Sequence, residues 1–186
     1  LLHYPSILED TINYIPPRVK IEISCLSMDE PTELRQIRSL IGESFDGEDT
    51  DADSLARTVV PTRTFLEKLF LLAEEFQKEK PRSVRMSRHL YDLAKLMDTE
   101  YGVEALSNRT LYDAIVEHRK AYYALKYVNY DLHAPSTINF TIPESVIGAW
   151  QDDYTDMKRF FIYGESLEFE ALMQKMKELQ ERVKIL

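Results

Sequence analysis

Three short stretches of the chain carry residue types at spacings that chemistry can use. In Lys20-Ile21-Glu22-Ile23-Ser24 a carboxylate stands between β-branched residues. An oxygen donor fixed on a strand suits a hard cation such as Mg²⁺, which takes oxygens at about 2.1 Å. In Thr64-Phe65-Leu66-Glu67-Lys68 a hydroxyl and an ammonium lie four residues apart, so both can face one site while Phe65 and Leu69 face the core. At a helix start, near the positive end of the dipole, that pair makes a natural triphosphate cradle. In Arg85-Met86-Ser87-Arg88-His89-Leu90-Tyr91-Asp92-Leu93, with Arg82 just before it, the chain gathers its one basic concentration. An anionic ligand is expected there.

Each stretch also has an ordinary structural reading. Glu22 can be a solvent-facing residue beside Lys20, and Thr64 a cap with Lys68 on a solvated face. Arg88 and Asp92 can form a helical ion pair worth tenths of a kcal/mol, and His89 can be hydrogen-bonded structure. A fourth stretch, Asp49-Thr50-Asp51-Ala52-Asp53, alternates carboxylates like a calcium loop. Ser54 and Val60 stand where such a loop needs Gly and Glu, so it reads as a solvated loop.

Composition narrows the classes. The 186 residues hold 23 Lys plus Arg against 32 Asp plus Glu, a formal charge of −9 that disfavours a general nucleic-acid coat. A 44% apolar fraction with 11% aromatics fills a core and excludes intrinsic disorder. No apolar run reaches the ~20 residues of a membrane span, and no basic segment leads into an apolar one as in a secretory signal. A soluble, cytoplasmic protein is expected. The lone Cys25 fits a reducing compartment as a small buried hydrophobe. Five glycines assemble no phosphate-binding fingerprint. Ser-His-Asp and Cys-His catalysis have no supporting signature.

These residues need elements to position them. Alternation in Val19, Ile21, Ile23 and Cys25 predicts a strand with Glu22 on its polar face. Residues 31–45 read as mixed, with a short helix around Ile37 to Ser44, and Thr58 to Pro61 as a brief second strand. Phe65, Leu69, Leu72 and Phe76 stripe a helix from Thr64 to about Glu79, stopped by Pro81. Further helices are expected over Ser87 to Met97, over Ser107 to about Lys126 with Ser107 as cap, and over Glu144 to about Tyr163. A last one follows Ser166, striped by Leu172, Met176, Leu179 and Val183. One or two strands cannot stand alone. The chain opens on Leu1 without a cap or turn, and the missing strands are expected upstream.

Taken in order, Arg18 to Ser24, Arg63 to Phe70 and Ser87 to Leu93 resemble the AbiEii/AbiGii toxin family of nucleotidyltransferases. Val116 to Lys120, Asp153-Tyr154 with Met157 and Phe160-Phe161, and the closing Phe169 to Arg182 stretch agree with it. The resemblance implies an α+β fold: a partial polymerase-β-like nucleotidyltransferase sheet of one or two strands over residues 1–60, followed by a predominantly helical C-terminal region over 61–186. It implies Glu22 as a metal ligand for Mg²⁺, and Lys68 and Asp92 as catalytic residues. It also implies nucleotide contacts from Lys68 and Thr64, with Arg88 and His89 as neighbours in the last motif. The family's leading Gly-Ser or Gly-Thr and its Asp-x-Asp are absent from these residues. The expectation is the C-terminal two-thirds of an enzyme that moves a nucleoside monophosphate from an NTP to an acceptor hydroxyl, by family analogy a tRNA 3′ end. It would act in toxin-antitoxin biology or phage defence with a cognate antitoxin, and this stretch alone would be inactive. A non-catalytic helical interaction module is the competing expectation.

Overall fold

A computed structural model describes residues 2–3, 18–19, 21, 23, 32–45, 47–48 and 53–186. Two short strands, β1 (Leu2–His3) and β2 (Arg18–Val19), pair antiparallel. Two longer ones, β3 (Thr32–Arg38) and β4 (Asp53–Val59), form an antiparallel hairpin with Thr32 opposite Val59 and Arg38 opposite Asp53. Helix α1 (Leu40–Ser44) lies between them, capped by the Ser39 hydroxyl, which accepts from the Gly42 N–H at 2.9 Å. From Pro61 onward the regular elements are helical.

The front of the chain departs from expectation. Among the described residues β2 covers only Arg18–Val19, and Val19, Ile21 and Ile23 of the expected buried stripe are exposed, with Ile23 at 95%. Among the described residues no layer covers that stripe, so alternation had nothing to bury against. Residues 32–38 form a strand rather than a mixed stretch because cross-strand pairing with β4 supplies what their polar sequence does not advertise. The second strand runs over Asp53–Val59, earlier than Thr58 to Pro61. Asp53, last of the alternating carboxylates, sits in that strand 3.6 Å from Arg38. Asp49 and Asp51 lie outside the described residues, as do Glu22 and Cys25.

Helix α2 (Pro61–Glu75) is the hub, and packs against α3 (Ser87–Leu96), α4 (Glu100–Ala105) and α5 (Arg109–His118). Phe65, Leu66, Leu69 and Phe70 on it are fully buried, each removing apolar surface worth about 1.5–3 kcal/mol. Pro at the first helical position costs nothing, because that N–H has no partner in any helix. Thr64 is therefore one turn inside the helix rather than at its cap. The helix also ends at Glu75, well before Pro81, and Phe76 just beyond the end packs its ring against Trp150 at 5.1 Å.

The helix expected from Ser107 to about Lys126 is α5, capped by Asn108 rather than Ser107, and α4, capped by Thr99, is an additional helix before it. α5 runs into a π-helical turn, Arg119–Tyr123, that ends on Ala124 at φ +45. After the extended 137–143 stretch, a single 3₁₀ turn leads into α6 (Ile147–Phe160), and α7 (Phe169–Lys184) closes the bundle with Leu172, Met176, Leu179 and Val183 buried. Glu168, rather than Ser166, occupies the α7 cap position. Among the described residues no helix is long and apolar enough to cross a membrane.

Candidate functional site

Lys68 and Asp92 are brought together by the packing of α2 on α3. On α2 the turn that sends Phe65 and Leu69 inward leaves Thr64 and Lys68 half-buried on the adjoining face. On α3, burial of Leu90 and Leu93 turns Asp92 toward α2. The Lys68 ammonium meets the Asp92 carboxylate with Nζ to Oδ2 at 2.7 Å. Asp92 thus pairs across helices rather than with Arg88 on its own. Arg88 is exposed, and no carboxylate among the described residues pairs with it.

His89 lies in the same cluster, only 7% exposed, with a buried Nδ1 that no described group hydrogen-bonds. Burial first, then the positive charges of Lys68 and Arg88, pulls its pKa down to about 4. The imidazole is accordingly neutral near pH 7. The field of Arg82 reaches it too, so this corner is electropositive inside an acidic chain. Lys68 of α2 and Asp92 of α3 are thus joined across two packed helices, with Thr64 one turn before Lys68 and Arg88 one turn before Asp92 on their own helices.

Three features that hold the cluster were invisible in periodicity. The N-terminus of α3 has no cap of its own, since Met86 stands there. Asp153 of α6 does that work: its Oδ2 accepts from the Ser87 N–H at 3.0 Å and from the Ser87 hydroxyl, and its Oδ1 from the Arg85 N–H. Arg85 itself sits at φ +58, a left-handed conformation that costs a non-glycine residue energy. On α2, Glu67 and Glu74 both bind the guanidinium of the buried Arg119, and Nε of Arg119 donates to Glu74 at 2.7 Å. Arg63 donates to Glu67 at 3.0 Å. Partners tens of residues apart leave no local signal. The Val116 to Lys120 and Asp153-Tyr154 segments were marked only by family resemblance.

Among the described residues no three His, Cys, Asp or Glu side chains gather as a metal cage. Asp92 is engaged by an ammonium, and Glu22 lies outside the described residues. The described residues therefore do not fit a divalent metal. A cavity of about 330 Å³ is lined by Phe76, Gln77, His133 and Thr141 among others, and by none of the candidate residues.

A family model described as Nucleotidyl transferase AbiEii toxin, Type IV TA system, matches residues 1–175 of the 186. No curated protein and no solved structure matches the chain.

Proposed function

The chain belongs to the AbiEii family of nucleotidyl transferase toxins, and on that premise we propose that it supplies the nucleotide-clamping helices of an enzyme that transfers a nucleoside monophosphate from an NTP to an acceptor hydroxyl. Its α+β build is consistent with part of a nucleotidyltransferase fold: residues 1–60 belong to the α/β core and residues 61–186 to the helical region. The observation that carries this reading is the 2.7 Å contact between Lys68 and Asp92, made across two helices beside a neutral, buried His89.

In the reaction the acceptor oxygen bonds to the α-phosphorus as the bond from that phosphorus to the pyrophosphate oxygen breaks, and the hydroxyl proton passes to solvent water. Charge on the phosphates must be met by fixed cations, because little else is needed for phosphoryl chemistry. Lys68 clamps the triphosphate, with the Thr64 hydroxyl one turn before it and Arg88 at the mouth. Asp92 orients the Lys68 ammonium or the acceptor. A neutral His89 leaves the positive charge on Lys68 and Arg88, where the phosphates bind. The Mg²⁺ that the family implies belongs in this reading to Glu22 and to carboxylates that the described residues do not include. The acceptor is a tRNA 3′ end, and the biological setting is a toxin held in check by an antitoxin and used in phage defence.

The test is transfer from a labelled NTP in the presence of Mg²⁺. Residues 1–186 alone are expected to turn over negligibly. In the full-length protein Lys68→Ala should cut turnover by orders of magnitude with nearly unchanged Tm, since a half-exposed ion pair is worth only about 0–1 kcal/mol. Preserved turnover in that variant would remove Lys68 from the site, whereas no turnover by the native full-length protein would favour an interaction module.

A further inference from the structure

Glu75, the last residue of α2, is 3% exposed, yet its carboxylate is saturated by cations. Arg82 donates to it from its backbone N–H at 2.8 Å, from Nη2 at 2.7 Å, and from Nε to both oxygens at 3.2 and 3.1 Å. Lys78 adds its ammonium at 2.8 Å. The Arg82 side chain nonetheless stays 65% exposed. A buried anion thus fixes two cations whose outer sides face water. One negative charge against two positive ones leaves a local surplus on a chain of net −9.

Tyr127 completes the group. The Lys78 ammonium sits 5.3 Å from its ring centroid, and the residue is 45% exposed. Glu75 lies seven residues beyond Lys68 on α2, about two turns and roughly 10 Å along the same face. Burial alone would push the Glu75 carboxyl up, but Arg82 and Lys78 outweigh it and hold it down at about 2. The anchor therefore remains charged throughout the working pH range.

We infer that Lys78, Arg82 and Tyr127 form a binding site for one nucleotide unit of a single-stranded nucleic acid, with the phosphate on the two cations and the base on the tyrosine ring. A guanidinium whose Nε and Nη2 are spent on Glu75 presents Nη1 outward in a set orientation, so little freedom is lost when a phosphate docks. An exposed ring beside such cations is the arrangement by which proteins bind unpaired strands, with stacking tolerant of base identity. Two turns along α2 from Lys68, the site would hold the acceptor strand. That role rests on the transferase reading, whereas the binding itself does not.

The experiment is fluorescence anisotropy of a short labelled single-stranded oligonucleotide with the chain, across a range of salt concentrations, with polyglutamate as competitor. Tyr127→Ala should weaken binding roughly 10-fold, within the range for loss of one stacked base, while Tyr127→Phe should bind as the native chain does. Arg82→Gln should weaken binding and flatten the salt dependence by about 0.7 in log-log slope, one phosphate contact on a single strand. Because Arg82→Gln strips a partner from a buried carboxylate, its fold is checked by circular dichroism. The two Tyr127 variants decide the matter if it unfolds. Native affinity in Tyr127→Ala, absence of binding by the native chain, or displacement of the oligonucleotide by polyglutamate at equal charge would overturn the inference. Tyr127-dependent binding together with no nucleotide transfer by the full-length protein would leave this site standing and defeat the transferase reading. Transfer with an unchanged acceptor KM in Tyr127→Ala would do the reverse.

Discussion

The carboxylate of Asp153 on α6 caps α3 from outside, accepting from both the N–H and the hydroxyl of Ser87, a residue 66 positions earlier in the chain. The two helices are thereby locked at the end of α3 that carries Arg88, His89 and Asp92. Asp153→Ala strands the N–H groups of Arg85 and Ser87 and a fully buried hydroxyl, and should cost about 3 kcal/mol in urea denaturation. Asp153→Asn, which keeps one acceptor oxygen, should lose less. Equal losses in the two variants would mean that both carboxylate oxygens are needed, since Asn keeps the packing and one acceptor.

Arg119 is 4% exposed between Glu74 and Glu67. Removing it by Arg119→Met leaves Glu74, itself 3% exposed, as a buried charge without its counter-ion. The expected destabilisation is about 3–5 kcal/mol. Adding Glu74→Leu should recover much of that loss, because an apolar pair can replace a buried ionic one. A double variant no more stable than the single one would show that the ion pair contributes more than mutual neutralisation.

His89 and His133 both have their pKa pulled down to about 4 from an ordinary 6.5, in each case mainly by burial. The unfolded chain takes up protons through the ordinary value while the folded chain resists until about 4. Between those limits the unfolded state binds more protons, so stability falls as pH drops from 6.5 toward 4 and is unaffected above that window. The His133 ring is fully buried, no described group hydrogen-bonds either nitrogen, and it packs on Phe70 at 5.5 Å. His133→Phe should therefore flatten the slope of unfolding free energy against pH across this window by the share of one titrating group. An unchanged slope would place the acid sensitivity elsewhere.

Gly102 in α4 lies against the end of α3. A Cβ built there would stand 2.3 Å from the Leu96 carbonyl oxygen and 2.7 Å from the Met97 Cα, both backbone atoms that cannot swing aside. Gly102→Ala should therefore destabilise by about 2 kcal/mol, against its helix-propensity gain. A neutral or stabilising result in a chemical melt would show that α4 can shift away from α3.

The helical part of the molecule was legible where burial follows a 3.6-residue rhythm. Phe65, Leu69 and Leu72, then Leu90 and Leu93, then Leu172, Met176, Leu179 and Val183 are all buried. Periodicity reports only which face is apolar, however, so helix ends went astray wherever a side chain competes for the backbone. α2 stops at Glu75, whose carboxylate takes the N–H and guanidinium of Arg82, and the cap of α5 falls to Asn108. At the front, Ile21 and Ile23 alternate as a buried strand would and stand exposed, because alternation cannot say whether a covering layer exists.

For the candidate site, four-residue spacing paired Thr64 with Lys68 and Arg88 with Asp92, since a helix puts such neighbours on one face by its pitch alone, and the family resemblance supplied the expected roles of these residues and of His89. Only the tertiary structure decided that Asp92 reaches Lys68 rather than Arg88, that His89 is buried and neutral, and that Asp153, Arg119 and Glu75 hold the frame. The reason is physical: pairing across helices depends on how far apart and at what rotation two buried faces settle. Those quantities are set by the whole core and appear in no local stretch of the chain.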